Sequence, residues 1–157
     1  MNAPEPILKA IEVADVDICL FARQYSLIDH AFAVETVFPA VREKGVSFVM
    51  GSSLNAGFIS GSPRFNYGAD NYKIPADVIA KREQLRQVAG RHGVDLRTAA
   101  LQFSAAADVA SALVVGAGSA RQIVEDYTSM QTKTPADFWA ELKAEGLIHA
   151  QASTPRT

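Results

Sequence analysis

Residues 112–126, ALVVGAGSARQIVED, place an apolar run, a turn with two glycines and a helical pattern next to one another. Ser119 is followed three residues later by Gln122, a capping-box pattern that predicts a helix beginning at Ser119. The first N–H groups of a helix lack intrahelical partners and carry partial positive charge. The turn therefore predicts an anion site, with phosphate as the candidate. The alternative is an ordinary strand-to-helix turn, in which the glycines serve only the backbone conformation.

Two common phosphate motifs do not account for this turn. A dinucleotide fingerprint has a third glycine where this sequence has Arg121, and the Walker Gly-Lys-Ser/Thr pattern is absent. In a (β/α)8 barrel, by contrast, the loops after the seventh and eighth strands form a phosphate site with a nearby helix N-terminus. The order of strand, glycine turn and helix matches that arrangement.

Three short apolar runs rich in strand-forming residues lie at 17–22, 46–51 and 111–116. Each is followed by a polar or glycine-containing loop and then by a helical pattern, the order typical of an α/β protein. Their apolar character is continuous rather than alternating, which favours strands buried on both faces. The sequence therefore predicts a parallel sheet.

Helical patterns separate these runs. A helix predicted between the first two runs has Pro39 in its first turn, and two more helices are predicted over 75–93 and 95–107. Asp95 is the expected N-cap of the second of these.

The C-terminal part has two further predicted helices. The helix beginning at Ser119 is expected to direct three apolar residues inward: Ile123, Tyr127 and Met130. A final helix is predicted to open at 134–135, and the polar residues 151–157 are expected to be a disordered tail.

The segment 52–75 is long for a connection in a compact domain. Disordered segments are poor in aromatic residues, whereas this one contains several large apolar side chains: Phe58, Ile59, Phe65, Tyr67 and Tyr72. It is therefore predicted to be an ordered lid or ligand strap.

Composition limits the possible functions. The 157 residues are 48% hydrophobic with a formal net charge of −2, as expected for one globular domain and not for a protein that binds nucleic acid or anionic membranes. No uncharged run approaches eighteen residues, and charged side chains interrupt the N-terminus, so a cytoplasmic location is predicted. The lone Cys19 is expected to be a small buried hydrophobe, and the three histidines show no metal-ligand spacing.

Several segments carry a family resemblance: LFARQYSLIDH, VREKGVSFVMGSSLNAGFISG, HGVDLRTAALQFSAAADVASALVVGAGSARQIVED and ADFWAELKAEGLI. Together they resemble the C-terminal half of aldo-keto reductases, most closely the branch of L-fucose or D-threo-aldose 1-dehydrogenases and pyridoxal 4-dehydrogenase. The resemblance implies the C-terminal part of a (β/α)8 TIM barrel, with the apolar runs as strands six to eight. Residues 1–150 would form this partial barrel, with the chain beginning inside the helix after strand five.

The same resemblance implies a site for NAD or NADP. Tyr25 would lie near the nicotinamide end. A diphosphate strap after strand seven would comprise Ser52, Leu54, Asn55 and Gly57, and an adenosine-phosphate segment after strand eight would comprise Gly116, Ala117, Gly118, Ser119, Gln122, Glu125 and Asp126. NAD is expected to be preferred, because relatives that prefer NADP usually have Lys or Arg where this chain has Gly116 and Gln122.

Ala22 and Gly51 differ from residues that many relatives use to orient and stack the nicotinamide. The family's catalytic Asp, Tyr, Lys and His come from the first half of the barrel, so no catalytic residue is carried over to this chain. Tyr25, Asp29 and His30 are expected on an exposed loop rather than in an acid–base cluster.

The chain alone is therefore expected to be catalytically incompetent. It would be the cofactor-binding portion of an oxidoreductase for a small aldose, aldehyde or alcohol. The alternative is a non-catalytic half-barrel interaction protein or a subunit of a split barrel, with self-association or an N-terminal half-barrel as partner.

Overall fold

The computed structural model describes residues 3–66 and 73–156. Two aromatics of the predicted lid, Tyr67 and Tyr72, lie outside the described residues. The elements are α1 (Pro4–Val13), β1 (Ile18–Ala22), a π-helical turn (Ala33–Val37), α2 (Phe38–Glu43), β2 (Ser47–Gly51), a 3-10 turn (Phe58–Ser60), α3 (Ala76–Arg91), α4 (Leu96–Ala105), β3 (Ala110–Val114), α5 (Ala120–Gln131) and α6 (Ala136–Ala144).

The three strands form one parallel sheet in the order β1-β2-β3, which confirms the predicted parallel α/β arrangement. Ala22 lies opposite Gly51, and Gly51 lies opposite Val114. The carboxyl ends of all three strands therefore meet at one edge of the sheet. The loops that follow β2 and β3 begin side by side at this edge.

One face of the sheet packs on the helices. Phe21 and Phe48 are buried there and stack with ring centroids 4.5 Å apart. On the opposite face Ile18 and Leu20 are about half exposed. The prediction of strands buried on both faces is thus wrong for the described chain, because its helices cover only one face.

Polar contacts set the orientation of α5, and the predicted inward face is wrong. Ile123, Tyr127 and Met130 are 61%, 69% and 41% exposed. The side of α5 that meets α4 is polar instead, since the Thr98 hydroxyl donates to the buried Ser129 hydroxyl at 3.0 Å. Hydrogen bonds between α4 and α5 therefore turn the apolar stripe of α5 outward.

The helix between β1 and β2 is less regular than predicted. A π-helical turn, Ala33–Val37, precedes α2, and Pro39 lies in the first turn of α2. Proline has no N–H to donate within a helix, and irregular turns commonly lie beside it. Among the described residues, no helix is long and apolar enough to cross a membrane.

The C-terminal residues pack on the core. Ala152 is buried, and its N–H donates to the His149 carbonyl at 2.9 Å. The segment from Gln151 was expected to be disordered from its polar composition, but Ala152 gives it an apolar contact that orders it. Trp139 of α6 is also buried, and its indole N–H donates to the Thr134 hydroxyl at 2.9 Å.

Candidate functional site

A groove of about 490 Å3 lies at the carboxyl ends of the strands. We call it the strand-end groove; five of the predicted site residues line it: Ser52, Leu54, Gly57, Gly116 and Gln122. A larger cavity of about 630 Å3 lies between α4 and the connection from α5 to α6, and none of the predicted site residues lines it. The strand-end groove is therefore the candidate site, because residues of the predicted segments after β2 and after β3 line it together.

The segment after β2 bends sharply beneath this groove. Positive φ angles occur at Ser52 (64°), Asn55 (50°), Ala56 (59°) and Gly57 (83°). Left-handed backbone costs an L-residue such as Ala56 about 1–2 kcal/mol. Strain of this kind is often found in segments that clamp ligands.

Asn55 supports the bend and does not line the groove. It is fully buried, its N–H donates to the Ser52 carbonyl at 2.9 Å, and its side-chain amide donates to the Asn66 side chain at 3.0 Å. The structure therefore gives this predicted site residue a role in shaping the strap.

Ser53 was not among the predicted site residues, yet it lines the strand-end groove. Its hydroxyl oxygen is buried and has no hydrogen-bond partner among the described residues. A buried hydroxyl without a partner is unfavourable unless a ligand or water satisfies it. The groove thus offers an unused polar group to a ligand, and its volume lies within the usual range for small-molecule sites.

The turn after β3 is partly satisfied by the chain itself. Ser119 is the N-cap of α5 and accepts from the Gln122 N–H at 3.3 Å, as the sequence predicts. The Gln122 side chain accepts from the Gly118 N–H at 2.6 Å rather than from the N–H of Ser119. Fewer N–H groups are thus available to an anion than the sequence indicates. Gly116 remains open, with no described atom within 4 Å of where a Cβ would lie.

Glu125 and Asp126 lie beside the groove and bind Arg97, a residue that the sequence reasoning missed. Arg97, at the start of α4, lines the strand-end groove. Its guanidinium donates to an Asp126 oxygen at 2.7 Å and also binds Glu125. The hydrogen bond from Arg121, followed by that from Arg97, lowers the pKa of Glu125. No local pattern around Arg97 could have revealed this contact, because it joins two helices.

Tyr25 is not brought into the strand-end groove. It is buried in the core, where its ring stacks on Phe103 with centroids 4.8 Å apart. Burial raises the pKa of the Tyr25 phenol. The resemblance placed Tyr25 near the nicotinamide end, whereas the described structure gives it a packing position.

His30 is also buried, so the expectation of an exposed loop is wrong for Tyr25 and His30, whereas Asp29 is exposed. The His30 Nδ1–H donates to the Ser26 carbonyl at 2.8 Å, and Nε2 accepts from the His149 N–H at 3.0 Å. Burial lowers the pKa of His30 to about 4, which keeps the ring neutral. These bonds tie the loop after β1 to the C-terminal segment, so His30 has a structural role.

The described residues contain no group of three His, Cys, Asp or Glu side chains that could hold a metal ion. Cys19 is buried in β1.

A family model described as the Aldo/keto reductase family matches residues 3–145. The chain belongs to the aldo/keto reductase family. One curated relative is pyridoxal 4-dehydrogenase of Microbacterium luteolum, which is 32% identical over 94% of this chain and 43% of that protein. Another is D-threo-aldose 1-dehydrogenase of a Pseudomonas species, which is 28% identical over 92% of this chain and 44% of that protein. The chain thus spans less than half the length of these curated relatives. Members of the family are NAD(P)-dependent oxidoreductases.

Solved structures agree with this assignment at the level of the fold. An aldo-keto reductase from Bacillus halodurans in a holo form matches with a TM-score of 0.67 and 23% identity, covering 98% of this chain and 49% of that one. Its apo form matches with a TM-score of 0.69 and 22% identity. The three strands and their helices are the C-terminal part, strands six to eight, of a (β/α)8 barrel.

Proposed function

We propose that this chain is the cofactor-binding portion of an NAD(P)-dependent aldo/keto reductase that acts on a small aldose, aldehyde or alcohol in the cytoplasm. The strand-end groove carries the proposal, because the two segments that the family resemblance assigns to the diphosphate and adenosine line one cavity there. The names of the curated relatives support a sugar or aromatic aldehyde as the substrate class.

The groove's own residues suit a nucleotide. The bent segment after β2 forms one wall, where Ser53 offers its unpaired hydroxyl, and Gly116 leaves the opposite wall open. Gln122 is fixed by its bond to the Gly118 N–H and orders the turn. When bound, the cofactor would supply the hydride chemistry, while these residues hold its adenosine and diphosphate.

Charge supports NAD over NADP as the preferred cofactor. Gly116 and Gln122 place no cation in the strand-end groove, and Arg97 is already paired with Glu125 and Asp126. A 2′-phosphate needs charged partners to offset its loss of hydration.

Proton transfer requires residues from outside this chain. Tyr25 and His30, which could carry a proton by residue type, are buried away from the groove. We infer that residues 1–150 act with an N-terminal half-barrel that supplies the acid–base group, and that the chain alone does not turn over substrate.

A second candidate function, a half-barrel interaction protein, is favoured by the exposed apolar surface. Ile18 and Leu20 on the sheet and Ile123 and Tyr127 on α5 are all at least half exposed. A second copy or an N-terminal half-barrel would cover this surface.

Calorimetric titration with NAD tests the proposed site. A Gly116→Leu variant places a side chain in the open wall of the groove, where no described atom lies within 4 Å of the Cβ position, and we expect it to weaken NAD binding at least tenfold. Gly90→Leu is the matched control, because its Cβ position in α3 is equally open and lies outside the groove. Equal NAD affinity in the two variants, or no saturable NAD binding by the unaltered chain, would contradict the proposal.

A further inference from the structure

Arg97 lies between two cavities. It lines the strand-end groove and also a neighbouring groove of about 540 Å3 between α4 and α5, which Glu125 lines as well. Its side chain is only 17% exposed. An arginine in this position can reach a ligand at the adenosine end only if its present partners release some of its N–H groups.

All three guanidinium nitrogens of Arg97 are occupied. Nε and Nη2 donate to Asp126 Oδ1 at 3.1 and 2.7 Å, Nη1 donates to Glu125 Oε2, and Nη2 also contacts the Gln122 carbonyl at 3.3 Å. The two carboxylates differ in accessibility, since the Asp126 side chain is 14% exposed and that of Glu125 is 36% exposed. Asp126 therefore holds the guanidinium from the more buried side, whereas Glu125 binds it from a more exposed position.

The cluster carries no net positive charge. Arg121 is 87% exposed and binds the second Glu125 oxygen at 2.7 Å, so two arginines face two carboxylates. A phosphate monoester carries about −1.5 to −2 charges at neutral pH and would compete with those carboxylates for Arg97. A ribose 2′-hydroxyl carries no charge and avoids this competition.

We propose that Arg97 is a specificity-determining residue for the adenosine end of the cofactor, and that Glu125 masks it against a 2′-phosphate. This inference rests on the proposed function, because it assumes that adenosine binds beside residues 116–126. With Glu125 in place, the site favours the ribose hydroxyl. Neutralising Glu125 removes the negative charge that competes for Nη1 of Arg97, while Asp126 still holds the guanidinium in position.

The test uses 5′-AMP and adenosine 2′,5′-bisphosphate, which differ only in the 2′-phosphate. Calorimetry on the 157-residue chain gives the ratio of their affinities, and the residues invoked all belong to this chain. Glu125→Gln is expected to shift the ratio about tenfold or more toward the bisphosphate, as for one charge-assisted hydrogen bond. Arg97→Gln in the same background is expected to abolish the shift.

Arg121→Gln is the matched control, because Arg121 is the other arginine that binds Glu125. Its ion pair is exposed and contributes little energy. We expect this variant to change the ratio less than twofold. Arg97→Gln alone provides a second route that does not require the Glu125 variant to fold. It leaves Asp126 without its arginine partner and Glu125 with Arg121 alone, and it is expected to lower the relative affinity for the bisphosphate about tenfold.

The outcomes separate the two proposals. Binding of both nucleotides with a ratio unchanged by Glu125→Gln and by Arg97→Gln overturns the role of Arg97 and leaves the proposed function standing. The role of Arg97 is also overturned if the shift in the affinity ratio caused by Glu125→Gln persists after Arg97 is replaced. If the unaltered chain binds neither nucleotide, the proposed function fails and the inference fails with it.

Discussion

Replacing Ile123 and Tyr127 with serine should weaken association of this chain through α5. The two side chains are 61% and 69% exposed on one stripe of the helix. Full burial of a large apolar side chain contributes about 1.5–3 kcal/mol, so covering the exposed parts of both is worth roughly 2–4 kcal/mol of association free energy. The double variant should therefore weaken association about 30- to 1,000-fold. Serine has nearly the same helix propensity as isoleucine and tyrosine, so α5 itself should not be weakened.

Sedimentation velocity over a hundredfold range of protein concentration measures this effect. Val13→Ser is the matched control, because Val13 is equally exposed and apolar but lies on α1. The unaltered chain and the control should associate as concentration rises, and the double variant should sediment as a monomer. An unaltered chain that stays monomeric, or a double variant that associates equally well, would refute the reasoning that α5 carries an interface.

Three further predictions concern stability and activity. Stability should fall as the pH drops from about 6.5 to about 4, because His30 is held neutral in the fold while the unfolded chain takes up the proton. The loss in the free energy of unfolding is up to about 3 kcal/mol. Urea unfolding of the His30→Phe variant should show a flatter pH dependence. Gln102→Leu should lower the free energy of unfolding by about 2 kcal/mol or more. The variant leaves three buried or partly buried groups without their Gln102 partner: the carbonyls of Ser129 and Thr132 and the hydroxyl of Thr134. An unchanged urea midpoint would contradict the role of Gln102. The purified chain should not oxidise pyridoxal, L-fucose or D-arabinose with either nicotinamide cofactor, because general acid–base catalysis worth about 10²–10⁴ in rate is missing. Cofactor-dependent turnover in a spectrophotometric assay would contradict this prediction.

Local patterns in the sequence were sufficient to predict the strands and the helix starts. The runs at 46–51 and 111–116 correspond to β2 and β3 within a residue or two, and Asp95 and Ser119 cap α4 and α5 as predicted. These features depend on neighbouring residues, since a cap bonds to an N–H three positions away. The parallel pairing followed from the same runs because continuous apolar strands are typical of parallel sheets.

Contacts between distant elements were not predictable in this way. Ile123 and Tyr127 have helical spacing, yet the bond of Thr98 to Ser129 turns them outward. Arg97 reads as a surface residue at a helix start until α5 brings Asp126 to it. Tyr25 follows a strand end, but stacking on Phe103 holds it in the core.

The strap after β2 shows the same limit. Its length and composition predicted an ordered segment, but not that Asn55 is buried and bonded to Asn66 while Ser53 lines the groove. Which side chain faces the groove depends on the run of positive φ angles, and only one of the residues concerned is glycine.

Titration of the isotope-labelled chain with NAD, followed by amide chemical shifts in NMR, tests the central claim most directly. The account predicts saturable shifts concentrated in residues 52–57 and 116–122, on the two sides of the strand-end groove. Amides around the larger cavity, such as those of Ala105 and Ala106, should not move. Shifts confined to that cavity, or no saturable shifts at any NAD concentration reached, would contradict the assignment of the groove as the cofactor site.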